Sequence, residues 1–89
     1  MAPSDSNTPR GETVRLTQWF ATEVHPHESE LRGYLRGAFP AVRDVDDVVQ
    51  ESFLRIWRAR AAQPISSARA FLFQIARRLA LDRSEEHTS

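Results

Sequence analysis

Asp44-Val-Asp-Asp-Val-Val-Gln-Glu-Ser-Phe-Leu-Arg-Ile-Trp57 carries a helix start, an apolar stripe and a polar ridge in one unbroken run. Asp44 is placed to cap the first free backbone N–H groups. Asp46 and Asp47 fall in the first turn, where the helix dipole favours negative charge. Val45, Val48, Val49, Ser52, Phe53, Ile56 and Trp57 recur at i, i+3, i+4, i+7, i+8, i+11 and i+12, which makes one buried face of an α-helix. Asp47, Gln50, Glu51 and Leu54 fall on the neighbouring face. A face that only meets water has no use for a leucine beside an amide and two acids; a face that docks on another protein does.

Outward from this helix the same period repeats. Residues 1–12 are polar and rich in Pro, Ser and Gly, and read as a disordered N-terminal tail. A first helix is expected from about Glu12 to Val24, with Leu16, Trp19, Phe20 and Val24 as its stripe. A second is expected from near Pro26, whose fixed φ suits a first helical position. Its stripe is Leu31, Tyr34, Leu35, Ala38 and Phe39, and Pro40 ends it. Gly33 and Gly37, four apart, admit the close approach of a neighbour. After the Asp44–Arg60 helix comes a connector broken by Pro64. Ser66 or Ser67 then caps a fourth helix running to about Leu81, with Ala68, Phe71, Leu72, Ile75, Ala76 and Leu79 as its stripe. No segment alternates as a strand would. The expectation is an all-α fold, a small helical bundle of about four helices with short loops, with one domain over 13–83 and a C-terminal tail at 84–89.

Eighty-nine residues suit one small domain, one that buries a limited fraction of its surface or is completed by a partner. The chain has no cysteine, which excludes disulfides and thiolate metal sites. No apolar run approaches the roughly 20 residues of a membrane span, and the N-terminus lacks the apolar core of a signal peptide, so the expected location is the cytoplasm. The zero net charge conceals a split. Residues 1–51 hold nine acids against five arginines, a net of −4, and residues 52–82 hold six arginines against Asp82, a net of +5. Such a split suggests a polyanionic partner for the second half, or a solvated basic helix surface. Every basic residue is arginine, which suits bidentate phosphate recognition and equally reflects a codon bias.

The fourth helix is the nucleic-acid candidate. Arg69, Arg77 and Arg78 flank Phe73 and Gln74, all off the apolar stripe. Cations hold phosphates, an aromatic outside the core stacks on an unpaired base, and glutamine reads adenine edges. The alternative is a basic amphipathic helix whose Phe73 packs on helix one or two. Ser66 and Ser67, before that helix, offer hydroxyls and free N–H groups to a phosphate or an extruded base, or form an ordinary cap. His25-Pro-His27-Glu28 lacks the further ordered ligands that a zinc site needs. With no Gly-rich phosphate loop and no nucleophile beside a His–Asp pair, the chain does not read as an enzyme, and no cofactor is expected.

Asp46-Asp-Val-Val-Gln-Glu-Ser-Phe-Leu-Arg-Ile-Trp57, a short loop, and Ala70-Phe-Leu-Phe-Gln-Ile-Ala-Arg-Arg-Leu-Ala-Leu-Asp82 together resemble region 2 of bacterial sigma-70-type transcription initiation factors, closest to the extracytoplasmic-function (ECF) group, over about residues 15–83. The resemblance implies a DNA-binding sigma factor that docks on core RNA polymerase and recognises and melts the promoter −10 element. The third helix would meet the β′ clamp helices through Asp47, Gln50 and Glu51, with Leu54 and Trp57 nearby. Residues 62–67, Ser66 and Ser67 among them, would hold a flipped base of the non-template strand. Arg69, Phe73, Gln74, Arg77 and Arg78 would meet the strand and its phosphates. An anti-sigma factor is a further partner the resemblance admits. Many members carry Asn where this chain has Arg78, for which a plain phosphate contact is expected. Members also continue past the position of Asp82 with basic residues, a linker and a second helical domain that reads the −35 element. Arg83-Ser-Glu-Glu-His-Thr-Ser89 looks instead like a translated sequencing adapter, so a truncated region 2 is expected, with authentic sequence ending near Asp82 or Arg83. The alternatives from other classes are a helical protein-interaction module without a DNA role and a compact helix-turn-helix repressor.

Overall fold

A computed structural model describes residues 10–88; the expected tail at residues 1–9 lies outside them. The described residues are helical with no strand, in four α-helices: α1 (Arg10–Trp19), α2 (Glu28–Ala38), α3 (Val45–Ala62) and α4 (Ala68–Thr88). The expected break between the first two is absent. A π-helical turn, Phe20–Val24, and a 3-10 turn, His25–His27, carry the chain from α1 into α2, so the bundle consists of three rods. Pro26 explains the change of hydrogen-bond register. It has no N–H to donate to Thr22, and its ring would crowd that carbonyl in a regular helix. The chain widens before it, with the His25 N–H donating to Phe20 O, and tightens after it, with the Glu28 N–H donating to His25 O.

The two loops are set by the other interior prolines. Phe39, before Pro40, leaves the helical region at φ −132° and ψ 67°. Gln63, before Pro64, is fully extended at φ −161° and ψ 158°. Both follow from the clash of a proline ring with the preceding residue in the α conformation. The five-residue Gln63–Ser67 connector returns α4 alongside α3, and these two helices share the most extensive contact in the molecule.

The core contains the predicted stripes. Val45, Val48, Val49, Ser52 and Ile56 of α3 are buried against Leu31 and Leu35 of α2, Val24 of the π turn, and Ala68, Leu72, Ala76, Leu79 and Ala80 of α4. Phe53 and Trp57 are half-buried and clasp Phe20, with ring centroids 5.2 and 5.5 Å away. Ala38 is exposed rather than buried.

Two expectations need correction, and the helix ends differ from the expected bounds. Asp44 sits at the N-cap of α3 without a side-chain cap bond; only its carbonyl serves the helix, accepting from the Val48 N–H at 3.1 Å. Gly33 and Gly37 face open space, with nothing within 4 Å of a Cβ built on either, so no close approach explains them. The first helix begins at Arg10, inside the expected tail. At the other end, the backbone of α4 runs on to Thr88 through the expected 84–89 tail. The sequence after Asp82 holds neither Gly nor Pro to stop a helix. In addition, Arg83 is tied to Asp47 of α3 at 2.7 Å.

Candidate docking and nucleic-acid surfaces

At 100° per residue, Asp47, Gln50, Glu51 and Leu54 span one third or less of the circumference of α3. The bundle leaves this arc uncovered. Asp47 and Gln50 are exposed, Glu51 is half-buried, and Leu54 is 44% exposed, one of few large apolar side chains so placed. The acids of the arc are not isolated. Glu51 accepts from Arg55 Nε at 3.1 Å, one turn on, and Asp47 pairs with Arg83. Trp57 departs from the group. It lies toward the flank of the arc, with its ring against Phe20, and so belongs largely to the packing. Arg58, exposed and three turns from Asp47, lies closer to the centre of the arc, and the motif reading passed over it. Beside the arc an open cleft of about 570 Å3 separates the α2–α3 connector from the first turns of α3, with Arg36, Arg43, Asp47 and Gln50 on its walls.

A bridge from α2 holds the start of α3. Arg32 donates through Nε and Nη2 to Glu28 Oε2 at 3.0 and 2.9 Å, and through Nη1 to Asp46. The hydrogen bond to Glu28, then that to Asp46, raises the guanidinium above its ordinary pKa. Asp46, a neighbour of the docking residues in sequence, therefore serves the helix–helix joint.

The second surface is the exposed side of α4 with the loop before it. Ser67 is the cap, accepting from the Ala70 N–H at 3.3 Å while its carbonyl accepts from Phe71 at 3.0 Å; Ser66 is exposed in the loop. Pro64, Ile65, Ser66, Ser67, Ala70, Phe71 and Gln74 line a shallow cavity of about 320 Å3, which brings Ser66, Ser67 and Gln74 of the residues singled out in the sequence to one place and leaves Arg69, Phe73, Arg77 and Arg78 off its walls. Arg77 and Arg78 are exposed and have no ion-pair partner among the described residues.

Phe73 does not stand free. It is half-buried, with Tyr34 of α2 at 5.4 Å on one side and the Arg69 guanidinium at 4.7 Å over its ring. Packing on helix two, the alternative weighed for this residue, is what its position shows. Arg69 is itself engaged, donating from Nε to Glu30 Oε1 at 3.2 Å and from Nη2 to Oε2. This hydrogen bond is the main reason the Glu30 carboxyl lies below its ordinary pKa and the Arg69 guanidinium above its own. Glu30 and Tyr34 were missed by sequence reasoning. They lie 39 residues from the side chains they touch, and no local spacing announces them.

Among the described residues no group of three or more His, Cys, Asp or Glu converges as a metal site. The histidines at 25 and 27 sit instead against Glu28 at 3.3 Å and Glu30 at 3.7 Å. No helix among the described residues is long and apolar enough to cross a membrane.

The described residues thus form a three-rod helical domain with an acid–amide–leucine arc on one helix and, on the next, two arginines without an ion-pair partner among the described residues. Residues 24–88, which include all of α2, α3 and α4, match the family model of sigma-70 region 2; the chain belongs to that family. Family membership implies promoter recognition and RNA polymerase binding of the sigma-factor kind. No curated protein and no solved structure matches the chain.

Proposed function

We propose that this chain is the region 2 module of an ECF-group sigma factor, working in the cytosol, which docks on core RNA polymerase through α3 and engages the −10 element of promoter DNA through α4 and the loop before it. The observation that carries the proposal is the uncovered arc on α3, where Leu54 sits exposed among Asp47, Gln50 and Glu51 within a domain of this family. Exposed leucine surface flanked by hydrogen-bonding groups is the composition of a small interface, with an apolar centre and a polar rim. The clamp helices of the β′ subunit are the proposed partner for this arc, with Trp57 at its edge.

On α4 the proposed division of work follows from chemistry. Arg77 and Arg78 hold backbone phosphates. The cavity walled by Pro64, Ser66, Ser67 and Gln74 receives an unpaired base of the non-template strand, and the gain from that capture offsets part of the few kcal/mol needed to unstack it. Phe73 contributes from beneath Arg69 rather than as a free stacking platform. An anti-sigma factor competing for either surface is compatible with the same layout.

The test is capture of purified bacterial core polymerase by the immobilised chain. Capture by the parent chain and at least a tenfold loss in Gln50→Ala/Glu51→Ala, with an unchanged circular dichroism melt, is the expected result. Polymerase that binds parent and variant alike would remove the docking assignment. No capture by the parent chain would favour a protein-interaction module of another kind.

A further inference from the structure

Of the three arginines singled out on α4, Arg69 alone is held by a carboxylate among the described residues. Its guanidinium lies over the Phe73 ring, and Phe73 backs onto Tyr34, so one face of the cation is covered. The Nε–Nη2 edge is covered as well, by both oxygens of Glu30 reaching across from α2. That edge is one of the two on which a phosphate makes parallel hydrogen bonds, because carboxylate and phosphate fit the same fork. Both side chains remain about half-exposed, at 52% for Arg69 and 50% for Glu30. The pair is therefore open to solvent and to an incoming anion, and exposed pairs of this kind are weak enough to exchange.

We infer that Glu30 is a built-in competitor of nucleic-acid phosphate: it occupies the fork of Arg69 in the free domain and yields it when a single strand arrives. The inference rests on the proposed role of α4 and adds to it a residue from a different helix. Its physical content is an exchange of acceptors. Arg77 and Arg78 each bring a free charge to the strand, whereas Arg69 gives up one anion to bind another and gains little. The displaced carboxylate then remains beside the strand as a like charge. Glu30 thus holds down affinity for single strands at the place where the surface would otherwise be strongest, favouring a strand that can be let go.

Charge alone predicts some of the same behaviour, so the test must separate the two. Binding of a labelled oligothymidylate to the full chain is measured against salt for the parent, Glu30→Gln, Arg69→Gln, the double variant, and Glu23→Gln. Glu23 is an exposed carboxylate of the π turn and serves as the charge-matched control. The expected result is binding about two- to fivefold tighter in E30Q, the range an exposed ion pair accounts for, with a log–log salt slope steeper by up to roughly 0.7, the value for one more single-strand phosphate contact. In the R69Q background the E30Q effect should vanish. Equal tightening in E23Q, or an E30Q effect that survives without Arg69, would reduce the matter to net charge and overturn the competitor. Binding that depends on Arg77 and Arg78 but is indifferent to E30Q would overturn the competitor and leave the α4 surface standing. Absence of binding by both parent and E30Q would overturn the two together.

Discussion

Ser52 places a hydroxyl in the centre of an apolar interior, with no exposed surface, among valines and leucines. It is tolerated because its Oγ donates to Val48 O at 2.7 Å, and no buried side-chain polar atom among the described residues is left unpaired. The Val48 carbonyl also receives the ordinary helical N–H bond from Ser52 itself. Ser52→Ala therefore removes a donor without orphaning an acceptor, and urea unfolding should find a change within about 1 kcal/mol. Ile56, one turn on and equally buried, is the contrast. Ile56→Ala removes apolar atoms that the surrounding helices cannot replace, and a loss of about 2–5 kcal/mol is expected in the same measurement. A result that ranks the two in the opposite order would contradict the packing described here. This is the scale at which the sequence was most informative: intervals of three and four identified the interior of α3 down to its serine. What the pattern could not resolve was the use of each polar side chain at the boundary. Asp44 has the identity of a cap and leaves its side chain unused, whereas Asp46, grouped by position with the docking acids, is bound to Arg32.

The elements were legible where local chemistry fixes them and obscure where distant contacts do. Pro40 and Pro64 act on the residue before them, and the chain breaks there as expected. Pro26 has the same chemistry, yet the helix passes through it, because one π turn and one 3-10 turn absorb the missing donor while Phe20, held by Phe53 and Trp57, keeps the two halves in place. A serine cap at 66 or 67 was recognisable, and the structure gives it to Ser67. Ser67→Ala should cost about 1 kcal/mol in chemical unfolding, and Ser67→Asp should restore most of it; a loss that Asp does not recover would mean that the hydroxyl matters for the loop and not for the helix end. Between elements, Glu30 and Arg69 join α2 to α4 and add a pH dependence. The Glu30 carboxyl is lowered in the folded state, chiefly by its hydrogen bond with Arg69. The folded chain therefore binds fewer protons there than the unfolded chain, and stability rises with pH through that window. The contribution is present above the ordinary glutamate range and is lost as pH falls through the lowered value. Melting curves across the acidic range should show a small loss of this kind in the parent that Glu30→Gln lacks; parallel curves would show the pair adding nothing to folding.

Taken whole, the molecule spends part of its charge asymmetry on itself. Acids of residues 1–51 reach arginines further along the chain at Glu30–Arg69, Glu51–Arg55 and Asp47–Arg83, which the net charges of sequence segments cannot reveal. The two candidate surfaces are nonetheless sorted by helix: the Asp47, Gln50, Glu51 and Leu54 arc belongs to α3, while Arg77 and Arg78 belong to α4. Two surfaces on separate helices, with no side chain shared between these two sets, should fail independently, since substitutions without common partners add. Arg77→Ala/Arg78→Ala is expected to weaken binding to single-stranded DNA and to flatten its log–log salt slope by roughly 0.7 for each phosphate contact removed, while capture of core polymerase in the absence of DNA stays at the parental level. Gln50→Ala/Glu51→Ala is expected to do the reverse, losing polymerase and keeping the parental salt slope. Fluorescence anisotropy across a salt series and a polymerase pull-down, run on both variants, complete the cross. If both variants lose both activities, the two helices act as one site or the substitutions disturb the bundle, and a matched pair of melting curves distinguishes those causes. If Arg77→Ala/Arg78→Ala leaves the slope unaltered, these arginines are only solvated, and α4 owes its basic face to something other than phosphate.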